Sequence, residues 1–180
     1  VDTIRAAYLF AKQANMDMIF CYALDAVSDS KLYLFPSIGS SKAIGRTELD
    51  GLMEKVKDGA VLYLSADTGL MCDIPQITGV DISYRRSINR ERIMEFKGRK
   101  LPVSANFFFQ IEKADAEALA CDENGEPMFF KHRYGKGFVF FLMVPLERYL
   151  AEKDGAFFDN RIPGYDSVYR ELAAAANVHR

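Results

Sequence analysis

Leu32-Tyr33-Leu34-Phe35-Pro36, then Thr47 to Lys57, then Ala60-Val61-Leu62-Tyr63-Leu64-Ser65-Ala66-Asp67-Thr68-Gly69 read together as a complete βαβ unit. The first run is short, apolar and closed by Pro36 and a Gly/Ser-rich loop, as expected of a strand buried on both faces of a parallel sheet. From Thr47 to Lys57 the apolar residues Leu49, Leu52, Met53 and Val56 recur at helical spacing, with Glu48, Asp50, Glu54, Lys55 and Lys57 on the opposite face. That pattern predicts an amphipathic crossover helix, stopped by Asp58-Gly59. Ala60 to Leu64 returns as a second buried strand. Ser65 to Gly69 is then the loop at its carboxyl end, where open α/β sheets place ligands and catalytic groups.

Outward from this unit, Ile4, Ala7, Tyr8, Phe10 and Ala11 predict a helix from Asp2 to Ala14, and Met18 to Tyr22 reads as a strand. After Gly79 the pattern changes to short alternating segments, Ile82 to Arg85 and Arg92 to Phe96, which read as strands on an insertion or extended edge. From Ala105 onward the reading is antiparallel. Ala116 to Cys121 and Met128 to Arg133 flank Asn124-Gly125, a hairpin dipeptide whose residues both tolerate positive φ. Tyr134-Gly135-Lys136-Gly137 turns the chain into the apolar strand Phe138 to Val144. Helices are expected from Pro145 toward Ala151 and from Ser167 to Ala176. The fold class is therefore α/β, with a mainly parallel central sheet and an antiparallel C-terminal extension.

Composition bounds the function. The chain has 180 residues, enough for a single domain over residues 1–180 that buries about 70% of its unfolded surface. A net charge of -2 carries no basic surplus, so nucleic acid is not an expected partner. Cys21, Cys72 and Cys121 lack a CxxC pair and read as reduced, mostly buried thiols, which favours a soluble, cytoplasmic protein. With only His132 and His179 as imidazoles, neither a metal nor another cofactor is expected. The apolar runs are too short to span a membrane. The chain opens at Val1 directly into a helical pattern, so the expectation is a piece of a longer protein.

Four motifs in order, Tyr33-Leu34-Phe35-Pro36-Ser37, Val56-Lys57-Asp58-Gly59 before Ala60-Val61-Leu62, Tyr134-Gly135-Lys136-Gly137, and Val144-Pro145-Leu146-Glu147, carry a family resemblance. They resemble the class I glutamine amidotransferase-like, flavodoxin-like domain that bacterial glycoside hydrolases such as β-galactosidases and cellulase-like proteins carry after a catalytic barrel. The similarity runs from the first helix to about Leu150. It implies a partner in the catalytic barrel of the same parent chain, homo-oligomer contacts, and carbohydrate as the parent's substrate.

An active member of that family has a G-x-C-x-G elbow and a later histidine and glutamate. Here the cysteine position falls near Ser65, the glycines near Tyr63 and Asp67, and the histidine near Val144, leaving Glu147 as the residual member. A thiolate mechanism needs the thiol, a base and a Gly-rich oxyanion turn, so the resemblance implies a degenerate active site and no catalytic residue. Glu147 reads instead as a carboxylate at a helix N-terminus, stabilised there by roughly 0.3–1 kcal/mol. The implied function is an accessory, non-catalytic domain that supports carbohydrate hydrolysis through packing, oligomer contacts or cleft formation.

The alternative is a stand-alone small-molecule binding domain or hydrolase using the loop after strand 60–64, with Ser65, Asp67 and Cys72 as its ligand residues. Gly39 to Thr47 follows a strand and precedes a helix, but it misses the phosphate-loop spacing and has Arg46 in place of the lysine. Arg85, Arg86, Arg90 and Arg92 form the densest basic cluster, interleaved with Tyr84 and Ile88, and read first as solvated strand charge. Tyr165 sits in a loop-like segment and is a candidate exposed aromatic contact.

Overall fold

The computed structural model of the protein describes residues 2–21, 29–40, 44–69, 73–157 and 164–178. In chain order these form α1 Asp2–Gln13, β1 Leu32–Ile38, α2 Arg46–Lys57, β2 Val61–Ala66, α3 Ile74–Thr78, β3 Val80–Phe96, β4 Arg99–Ala114, β5 Glu117–Asp122, β6 Pro127–Tyr134, β7 Gly137–Leu142, α4 Leu146–Glu152 and α5 Asp166–Ala176. One seven-stranded sheet has the order β1-β2-β7-β6-β5-β3-β4.

The βαβ unit forms, but β1 is a half-buried edge strand that runs on through Pro36, not a strand buried on both faces as expected. β1 and β2 are parallel from Leu32 opposite Val61 to Phe35 opposite Leu64, and α2 buries Leu49, Leu52, Met53 and Val56. All six residues of β2 are buried, which is why its sequence shows no alternation. β7 joins on the other side of β2, again parallel, from Val61 opposite Phe138 to Ser65 opposite Leu142.

The sheet as a whole is mixed, which corrects the expectation of a mainly parallel one. Parallel pairing joins only β1, β2 and β7; β6, β5, β3 and β4 pair antiparallel. The cause is connection length. From β3 to β7 the strands are joined by tight turns such as Lys97-Gly98 and Gly135-Lys136, and a short turn can return the chain only antiparallel. The two segments read as short strands after Gly79 are one strand of 17 residues, β3. Register shifts between Ile82 and Tyr84 and between Ser87 and Arg90 interrupt its ladder with β4, and with it the alternation on which a strand reading depends.

Other local readings are adjusted. Met18 to Cys21 is not a strand, and Ile19 and Phe20 are exposed; Tyr22 lies outside the described residues. In the β5–β6 turn only Gly125 takes positive φ, at 81°. The turn is organised instead by the Asp122 carboxylate, which accepts the N–H groups of Asn124 at 2.9 Å and Glu126 at 3.0 Å. Cys21 is exposed and Cys121 half-buried, so these thiols do not match the expected burial. Tyr165 is buried, its hydroxyl donating to the Pro102 carbonyl, so it offers no exposed contact.

The Tyr-Gly-Lys-Gly turn has a packing cause. Gly135 has φ of 60°, and a Cβ there would meet the Lys57 carbonyl at 2.6 Å; a Cβ on Gly137 would lie 2.0 Å from the Ala60 carbonyl oxygen and 2.2 Å from that of Val56. The turn docks on the end of α2, where Lys57 accepts the Lys136 N–H at 2.8 Å. Both glycines are required by this backbone approach.

Candidate functional site

Tyr63 and Ser65 lie two apart on β2 and therefore on one face of the sheet. Above them sits the first turn of α4, and Glu147 on that turn is wholly buried. Its carboxylate accepts hydrogen bonds from Ser65 Oγ at 2.6 Å, Ser37 Oγ at 3.0 Å, Tyr63 Oη at 2.8 Å and Tyr169 Oη at 3.0 Å. Four neutral hydroxyls from β1, β2 and α5 thus supply what desolvation removes, and no cation is needed. Burial, and then the charge of Glu147, push the Tyr63 and Tyr169 hydroxyls well above their ordinary range, so both remain protonated donors.

Ser37 joins the cluster because β1 is irregular at its end. The ladder shifts between Phe35 and Ile38, and Ser37 takes φ of 50°, uncommon for a residue with a Cβ. Its N–H reaches Ser65 Oγ at 2.5 Å, while its hydroxyl accepts the Arg148 N–H at 3.2 Å. Pro36 is tolerated in this strand because β1 is at the edge of the sheet.

Ser65, expected in a loop, is the fifth residue of β2 and is wholly buried. Its oxygen accepts from Ser37 and donates to Glu147, which leaves no open approach for an electrophile. Val144 is buried just past β7. Asp67 is buried in the loop after β2 and is held by the Arg148 guanidinium at 2.6 Å. Burial pushes the Asp67 carboxyl above its ordinary value, with Arg148 pulling the other way. Cys72 lies outside the described residues.

The crevice at the carboxyl ends of β1 and β2 is closed by the protein's own groups. The Ile38 carbonyl accepts the N–H groups of Asp67 at 3.1 Å and Gly69 at 3.2 Å, and a Cβ on Gly69 would meet Ser40 N at 2.5 Å. Arg85 donates to the Thr68 carbonyl from the far ribbon. A cavity of about 810 Å³ runs along the outer edge of β1 as far as its carboxyl end, lined by residues that include Ile4, Met18, Phe20, Leu34, Ser37 and Gly39. Among the described residues no group of three or more His, Cys, Asp or Glu is placed to hold a metal ion. None of the described helices is long and apolar enough to cross a membrane.

Glu147 belongs to the first turn of α4, as read, but its chief partners are the hydroxyls. Sequence reasoning missed Ser37, Tyr63, Tyr169 and Arg148. Only Tyr63 left a signal, its spacing of two from Ser65.

The fold defines the class: an α/β protein with a mixed sheet, against whose parallel strands α4 buries the Glu147 carboxylate. No family model matches the sequence, and no curated protein matches it. Solved structures do. An exo-β-1,4-mannosidase from Opitutaceae bacterium strain TAV5 matches with a TM-score of 0.73 at 17% identity, over 97% of this chain and 31% of that one. A GH42 β-galactosidase from G. stearothermophilus matches with a TM-score of 0.73 at 14% identity, over 98% of this chain and 26% of that one. A cytoplasmic protein from Salmonella typhimurium LT2 matches with a TM-score of 0.66 at 14% identity, over 97% of this chain and 87% of that one. The chain thus has the fold of one part of these glycoside hydrolases and spans less than a third of their length.

Proposed function

We propose that this chain is a non-catalytic, amidotransferase-like domain of flavodoxin-like descent in a bacterial glycoside hydrolase. It supports carbohydrate hydrolysis by packing against the catalytic barrel of the same parent chain, by subunit contacts, or by forming one wall of the cleft. The observation that carries this reading is Ser65: the resemblance puts the nucleophile position near it, and it is wholly buried with its hydroxyl bound to Glu147 at 2.6 Å. A nucleophile needs a free lone pair facing substrate and a base that can take its proton. Here the carboxylate instead ties α4 to the sheet.

The comparisons support the glycosidase context through the share of the mannosidase and β-galactosidase chains that this fold occupies. The alternative, a stand-alone domain with a ligand at the Ser65, Asp67 and Cys72 loop, is disfavoured because Arg148 already occupies Asp67. The test is direct. The purified chain is expected to release neither ammonia from glutamine nor nitrophenol from aryl-β-galactoside and aryl-β-mannoside. Turnover of either that is abolished by Ser65→Ala or by substituting one of its carboxylates overturns the reading.

A further inference from the structure

The β3–β4 ribbon presents a cationic and aromatic face that the other described residues leave exposed at Tyr84 and Arg86. From residue 84 to 87 its ladder is regular, with Tyr84 opposite Gln110 and Arg86 opposite Phe108. Period-two alternation puts these four side chains on one face. Tyr84 is 54% exposed, whereas Phe108 is covered. The cover is cationic: the guanidinium of Arg86 lies 4.6 Å from the Phe108 ring centroid, and that of Arg92 lies 4.9 Å from it.

The two arginines differ in what neutralises them. Arg92 is buried and paired with Asp122 at 2.9 Å. Arg86 and, further along the strand, Arg90 are exposed and have no carboxylate partner among the described residues. The protein's net charge is -2, so this excess of cations is local. The Phe108 ring holds the Arg86 guanidinium at 4.6 Å, and no described residue takes up its N–H groups, which suits recognition of a carboxylate. Beside it stand an exposed ring and a carboxamide.

We infer that this face binds a carboxylate-bearing saccharide. Tyr84 supplies an apolar ring for stacking against the C–H face of a sugar, Arg86 takes the carboxylate, and Gln110 serves the hydroxyls. An acidic peptide is the poorer fit. Peptide anchors need an apolar pocket, and the other exposed large apolar residues among those described, Ile4, Tyr8, Ile19 and Phe20, lie on or just after α1. The choice of a saccharide rests on the glycosidase reading above. The acid Glu112, two residues past Gln110, bounds the platform at one end.

The experiment is affinity electrophoresis and calorimetry of the 180-residue chain with polygalacturonate, uncharged galactan, polyglutamate and duplex DNA at low salt. Saturable binding of polygalacturonate is expected, with no binding of galactan. Arg86→Ala should weaken it about tenfold or more, as loss of charge-assisted hydrogen bonds does. Tyr84→Ala should weaken it severalfold, and Tyr84→Phe should leave it unchanged. The positions probed are exposed, and an unchanged melting curve checks that each variant is folded. No polygalacturonate binding, equal binding of galactan, or equal binding of polyglutamate or DNA overturns the inference. Each of those outcomes leaves the accessory-domain reading standing, whereas glycoside turnover by this chain overturns that reading with saccharide binding intact.

Discussion

Two of the buried carboxylates, Glu147 packed on the parallel half of the sheet and Asp122 within its antiparallel half, are stabilised by opposite means. Glu147 is surrounded by four neutral hydroxyls drawn from three other elements. Asp122 is served by the N–H groups of its own turn and by a single buried cation, Arg92. The difference teaches that burial alone does not dictate an ion pair. A long-range hydroxyl cage makes an anion depend on the whole fold, while a local turn makes it depend on a few residues.

The largest effect that bears on this contrast is expected from Glu147→Ala, which strands four buried hydroxyls and opens a cavity. It should cost about 3–5 kcal/mol in urea unfolding, with Glu147→Gln costing clearly less because it retains one acceptor oxygen. Equal losses for the two variants would mean that the carboxylate's charge, not its acceptor capacity, is what the hydroxyls answer to. Next comes the antiparallel half. Asp122→Ala leaves Arg92 buried without its counter-ion and should cost more than Arg92→Met, for which about 1–3 kcal/mol is expected, since the turn N–H groups still serve Asp122. The reverse order in matched denaturation curves would break the comparison.

The same half carries a pH signature. Burial pushes the Asp122 carboxyl up, but the N–H groups of Asn124 and Glu126 and the Arg92 guanidinium outweigh it, so its pKa lies below the ordinary 3.8. A depressed carboxyl contributes stability that is present above that ordinary value and is lost as pH falls through the folded one. Arg92→Met should therefore flatten the loss of stability below 3.8 relative to the parent. A smaller term concerns His132, whose pKa burial lowers from 6.5 against the pull of Asp115. Its neutral ring suits the fold, so a penalty develops only as pH falls below 6.5, and His132→Gln should remove it from melting curves taken on either side of that value. Within the cage the smallest effect is expected of Ser65→Ala, which withdraws one donor of four and the acceptor of the Ser37 N–H, at about 1–3 kcal/mol.

The sequence was informative where a physical rule acts locally. Leu49, Leu52, Met53 and Val56 mark α2 by their spacing, and Gly135 and Gly137 mark a turn that accepts no side chain. It misled where an irregularity hides the period: the bulges of β3 made one strand look like two, and the apolar run from Met18 meets solvent. The Glu147 site was the least legible. Ser37, Tyr63, Ser65 and Tyr169 lie 110, 84, 82 and 22 residues from it, and nothing in local pattern joins groups so far apart.

The cage around Glu147 also bears on how the molecule opens. α4 has seven residues, too few to persist as an isolated helix, and α5 has eleven. Because one carboxylate is shared among β1, β2 and α5, detaching either helix breaks hydrogen bonds that also hold the other to the sheet. In native-state hydrogen exchange, α4, α5 and the central strands should therefore behave as one cooperative unit, with α4 amides protected far beyond what a two-turn helix earns by itself.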